Sequence, residues 1–190
     1  MSDIPIVALV CSSGGLGALT RVLTRLPADL SAAVIVLQHM QPDRASQLAT
    51  LLDHQTALPV AFVADGDRLT TGRVFVAPPG QHTILGPDAT LVLIPSGALP
   101  PYRPSADLLL TTLAVAAGPR LIAVVLTGHG NDAATGASAV HRLGGTVIAS
   151  STATSTEAAM PEAAIGRDHA VDHVVALDDI AALITETLDR

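Results

Sequence analysis

Apolar residues along this chain come in short unbroken runs. Each run is closed by a polar or glycine-rich corner and followed by a stretch with helical spacing. Residues 6–11 form a β-branched run that stops at Ser-Ser-Gly-Gly, and 16–26 then read as a helix. A second buried strand spans 33–38, Asp43 is placed to cap a helix reaching about residue 55, and 60–63 read as a third strand. Between 65 and 102 the pattern shifts to short pieces at 73–77, 83–85 and 90–94, separated by Pro and Gly. These read as hairpins and as an antiparallel extension of the sheet.

Alternation then returns. Ser105 caps a helix through about residue 117, 121–126 form a strongly apolar strand, and a helix follows to about 143. A strand at 146–149, a loop, a strand at 171–175 and a terminal helix capped at Asp178 complete the chain. With no internal repeat and no linker, residues 1–190 are expected to form one domain. The fold class is α/β: a doubly wound, mostly parallel sheet with helices on both faces and a short antiparallel hairpin extension.

In such sheets, ligands bind beyond the carboxyl ends of the strands, so the residues closing each strand matter most. Three corners carry chemistry: Ser12 after the first strand, His39 after the second, and Asp132 in the Thr-Gly-His-Gly-Asn-Asp segment after 121–126. A nucleophile, a base and an orienting carboxylate are what acyl transfer requires. Gly14 and Gly15 allow a sharp turn into a helix whose first N–H groups can face an oxyanion. The corner is not the G-x-S-x-G elbow, because Val10 stands at the place of its first glycine. Taken singly, Ser12 reads as a helix N-cap, Asp132 as another cap and His39 as a hydrogen-bonded strand-end histidine.

Composition narrows the partners. Apolar residues make up 49% of the chain and charged ones 14%, which excludes a disordered segment. The formal charge is −7 and the chain has no Lys, so nucleic acid is not an expected partner. No apolar run is long enough to span a bilayer and the N-terminus lacks a basic leader, so a cytoplasmic protein that is not membrane-embedded is expected. Cys11 is the sole cysteine and the remaining histidines are scattered, so neither a metal site nor a cofactor is expected. A nucleotide site at Gly14–Gly17 is disfavoured, since neither G-x-G-x-x-G nor the P-loop pattern occurs.

Six segments appear together and in order: Ser12-Ser13-Gly14-Gly15, Gln38-His39-Met40, Asp65-Gly66-Asp67-Arg68, Arg103-Pro104-Ser105-Ala106-Asp107, Leu126 through Asp132, and Met160-Pro161. In this the chain resembles the catalytic domain of chemotaxis protein-glutamate methylesterases, the CheB family, over about residues 6–184. The resemblance implies a Ser-His-Asp triad that hydrolyses glutamate γ-methyl esters, and deamidates glutamines, on methyl-accepting chemotaxis receptors. It assigns the nucleophile to Ser12, the base to His39 and the orienting carboxylate to Asp132. It places the oxyanion hole at the backbone amides of Ser13 and His129, and makes Met40, His82, Arg103 and Met160 candidates to face substrate.

Two residues depart from the family pattern: Ser13 stands where Thr is usual, and His129 where Met is usual. His129 also brings a second imidazole near the site, able to compete with His39 as base or to shift its pKa. Typical members carry an N-terminal receiver domain, whereas here the first core strand begins at residue 6. The expectation is a stand-alone form in which either a regulator acting in trans or constitutive activity replaces control by a receiver. Two other readings remain open at this stage: a non-catalytic adaptor in a chemosensory array, and a hydrolase of a different ester or amide.

Overall fold

The computed structural model describes residues 3–97 and 102–190, so the first two residues of the stretch read for a leader lie outside it. The core is a seven-stranded parallel sheet in the order β3-β4-β2-β1-β7-β8-β9. Its strands are β1 (Ile6–Cys11), β2 (Ala33–Gln38), β3 (Val60–Phe62), β4 (Arg73–Val76), β7 (Leu121–Val125), β8 (Thr146–Ser150) and β9 (His173–Val175). All six residues of β1 and all five of β7 are buried, which is why their sequences run continuously apolar instead of alternating.

Helices cover both faces. On one side, α1 (Gly15–Leu23), α2 (Leu48–Asp53) and α6 (Ile180–Leu188) pack Leu19, Val22, Leu52 and Ile184 against Val7, Leu9, Val34 and Val36. On the other, α3 (Ala106–Ala117), α4 (Ala134–Arg142) and α5 (Ala159–Ile165) set Leu109, Leu113, Val140 and Ala164 against Ala8, Val10, Ile35 and Leu37. Burying each Val, Leu or Ile of this kind contributes about 1.5–3 kcal/mol relative to exposure. From β1 the chain winds outward through β2, then returns to place β7 on the other side of β1. The switch point therefore falls between β1 and β7.

The doubly wound class and the limits of most elements agree with the sequence reading. Five local expectations do not. Residues 73–77 were expected in a hairpin, but β4 lies inside the parallel sheet, flanked by β2 and β3, with Val74 and Val76 fully buried. The hairpin is β5 (Gln81–Leu85) with β6 (Leu91–Pro95), and it forms a separate two-stranded sheet rather than an extension of the main one. It is tied to α3 through the Leu85 amide, which donates to Thr112 Oγ1 (3.2 Å).

Asp43 caps no helix. Residues 39–47 stay irregular after Pro42, and α2 begins only at Leu48, whose amide is accepted by Ser46 Oγ (3.2 Å). The stretch read as a loop before residue 171 contains α5, whose Pro161 sits in its first turn, where the missing N–H costs nothing. Asp178 does not cap the last helix; its carboxylate pairs with Arg21 of α1 and with Arg25 just beyond that helix.

Candidate active site

Three adjacent strand ends are laced together where their polar residues begin. The His39 amide donates to Cys11 O (3.0 Å), the Ser12 amide to Thr127 O (2.9 Å), and the Leu126 amide to Val10 O (2.9 Å). These ladder bonds bring Ser12, His39 and the 127–132 loop to one edge of the sheet, at the switch point.

The Ser12 corner turns through Gly14, whose φ of 77° suits glycine. Gly15 is needed for closeness instead: a Cβ there would lie 2.6 Å from Cys11 Sγ. Among the described residues, the amides of Ser13 and His129 have no hydrogen-bond acceptor, as an oxyanion hole requires. Gly128 offers no such donor, because its N–H is taken by Glu157 O (2.9 Å).

His39 Nε2 and Asp132 Oδ2 are 2.9 Å apart, and both side chains are nearly buried. The ring also stacks on Tyr102, with centroids 5.1 Å apart and planes 23° from parallel. Asp132 accepts further hydrogen bonds from the amides of Ala106 (2.6 Å) and Asp107 (2.9 Å) at the start of α3, and from Ser105 Oγ (3.2 Å). Burial pushes the Asp132 pKa up, but the His39 bond, those two amides and the His39 charge outweigh it and hold the carboxyl below its ordinary value. Asp107 shifts the other way: burial, reinforced by the Asp132 charge, raises it despite the Gly136 and Ala133 amides and the Thr135 side chain.

A cleft of about 340 Å³ is lined by Ser12, His39, Met40, Tyr102, Arg103 and His129, along with Gln41 and Pro42. The sequence candidates thus separate. Met40 and Arg103 line the cleft beside Ser12 and His39. His82 sits behind the site, with Nδ1 accepting the Ser105 amide (3.0 Å). Met160 is fully buried behind Gly128, where a Cβ on residue 128 would lie 2.8 Å from its sulfur. The His129 ring is exposed and turns to Glu157, with Nδ1 3.5 Å from the carboxylate, so its nearest charge partner is not His39.

Sequence reasoning missed Tyr102 and Asp107. Tyr102 is the only tyrosine and immediately precedes the Arg-Pro-Ser-Ala-Asp segment, which was a usable signal. A separate apolar cavity of about 140 Å³, lined by Ile6, Leu85 and Ala117, lies toward the opposite edge of the sheet, away from this chemistry.

Fold and site together define an open α/β domain with serine, histidine and aspartate drawn to the switch point of a parallel sheet. The chain belongs to the CheB methylesterase family, whose profile matches residues 7–184. It is 40% identical over 185 residues to a protein-glutamate methylesterase/protein-glutamine glutaminase of Moorella thermoacetica, covering 95% of this chain and 43% of that protein. It is 35% identical to the protein-glutamate methylesterase FrzG of Myxococcus xanthus, covering 97% of this chain and 55% of that one. The chain thus spans about half the length of these curated relatives. The crystal structure of the Thermotoga maritima CheB methylesterase catalytic domain superposes with a TM-score of 0.91 at 32% identity, over 97% of this chain and 99% of that one.

Proposed function

We propose that this chain is a cytoplasmic serine hydrolase that demethylates glutamate γ-methyl esters on chemoreceptors and deamidates receptor glutamines by the same route. The observation that carries this reading is the 2.9 Å bond between His39 Nε2 and Asp132 Oδ2, in a cleft that Ser12 also lines. The names of the relatives support the substrate class.

Asp132 holds the proton of the neutral ring on Nε2, which leaves Nδ1 as the acceptor for the Ser12 proton. Ser12 Oγ bonds to the ester carbon as its proton passes to Nδ1, and the carbonyl oxygen becomes an oxyanion facing the amides of Ser13 and His129. Each such donor is worth about 2.7–4 kcal/mol to the transition state. The imidazolium, stabilised by Asp132, then protonates the departing oxygen and methanol leaves. Water, deprotonated by Nδ1, splits the acyl-serine to give glutamate and restore Ser12. A glutamine side chain follows the same path with ammonia as the leaving group.

The decisive experiment is methanol release from methylated chemoreceptor membranes by the wild type, Ser12→Ala and His39→Ala. Release that both substitutions abolish is the expected result. Equal release by Ser12→Ala would rule out this mechanism, and no release by folded wild type would rule out this substrate.

A further inference from the structure

We propose that Asp107 is a positioning residue for the His39–Asp132 pair, acting as a clamp on the chain that follows Asp132. Its catalytic consequence rests on the reading above, but its geometry does not.

Asp132 is followed by Ala133, which has φ 99°, a conformation that residues bearing a Cβ rarely adopt. Ala133 also occupies the N-cap position of α4, and its methyl side chain has no oxygen to offer the first helical amides. Asp107 supplies that oxygen from another helix. Its Oδ1 accepts the Ala133 amide (3.0 Å) and the Gly136 amide (2.7 Å). Gly136 allows the approach, since a Cβ there would lie 2.6 Å from Leu110 Cβ and 3.2 Å from Asp107 Cα.

The connection is closed in both directions. The Asp107 amide donates to Asp132 Oδ1 (2.9 Å), while the Asp107 carboxylate accepts the amide of the residue after Asp132. A shift of the Asp107 oxygen therefore moves Ala133, and with it the carboxylate that meets His39 Nε2. The position of the acceptor is what matters in this arrangement, and its charge is secondary. Asparagine keeps an oxygen in place for both amides, whereas glutamate keeps the charge and displaces the oxygen by one methylene.

The test compares Asp107→Asn and Asp107→Glu in receptor demethylation, with the His39 ring proton followed by NMR in ¹⁵N-histidine-labelled protein. Asp107→Asn is expected to keep kcat within about threefold and to retain the Nε2–H resonance, whereas Asp107→Glu lowers kcat about tenfold or more with KM nearly unchanged and loses that resonance. Wild-type behaviour of Asp107→Glu in both readouts would overturn the clamp. So would a folded Asp107→Asn protein that loses the resonance, and this second result decides the matter even where Asp107→Glu fails to fold. Should the wild type release no methanol, the resonance comparison still decides: a difference between the variants would leave the clamp standing and remove only the esterase reading.

Discussion

A Cβ on residue 128 would lie 2.7 Å from the Cβ of Ser12 and 2.9 Å from its backbone nitrogen. Both are firm parts of the Ser12 corner, held by the bond from the Ser12 amide to Thr127 O. The glycine is thus required by closeness, since its φ is not among the positive ones. The loop that carries Asp132 can lie against the Ser12 turn only because residue 128 has no side chain.

Gly128→Ala should therefore fold but push the two corners apart. Displacing a reacting group by about 1 Å costs on the order of 10²-fold in turnover, and a loss of that size in kcat is expected while KM changes little. Steady-state kinetics on methylated receptors, with the folded fraction measured by circular dichroism, would check it. Wild-type kcat in this variant would show that the corners tolerate separation.

Much of this arrangement is legible in the chain because its signals are local. Each of Ser12, His39 and the segment to Asp132 follows a continuous apolar strand, and Ser105 starts α3 as a serine N-cap should, accepting the Leu108 amide. What stays hidden depends on contacts between distant segments. Asp132 accepts the Asp107 amide while Asp107 accepts the Ala133 amide, which ties the starts of α3 and α4 together, and neither link shows in the local sequence of either helix. Asp178 misleads for the same reason, its carboxylate being drawn to Arg21 on α1 and to Arg25 just after it. Helix α5 escapes notice because its Ser/Thr-rich approach and Pro161 carry loop chemistry, while its apolar contacts are few: Met160, Pro161 and Ala164.

Neutralising Asp132 tests both activity and the sign of its titration. Asp132→Asn places an amide NH₂ among groups that donate, namely His39 Nε2–H and the amides of Ala106 and Asp107. In serine triads such a change costs about 10⁴ in turnover, and a loss of that order is expected here. The folded pKa of Asp132 is depressed, so its contribution to stability is fully present above the unfolded value of about 3.9 and is lost as pH falls through the folded value. The raised pKa of Asp107 acts in the opposite sense, its ionised form costing stability as pH rises. Urea midpoints of wild type and Asp132→Asn should differ at pH 7 and converge only as pH falls below about 3.9 and through the lower folded value. A gap that stays constant in acid would contradict the assignment of this linkage to Asp132.

Cys11 adjoins the proposed nucleophile, yet it should take no part in the chemistry. It is fully buried in the layer beneath α1, and burial pushes its thiol pKa far above the usual range, so almost no thiolate forms near neutrality. Iodoacetamide should leave the native protein unmodified, with any esterase activity unchanged, and should label Cys11 once the chain is unfolded in urea. Rapid alkylation of the native state with loss of activity would mean that this strand end opens. Cys11→Ser separates packing from reactivity, because it places a more strongly hydrated hydroxyl where Cys11 packs as a buried apolar side chain. A loss of about 1–3 kcal/mol in stability is expected, with kcat per folded molecule little changed.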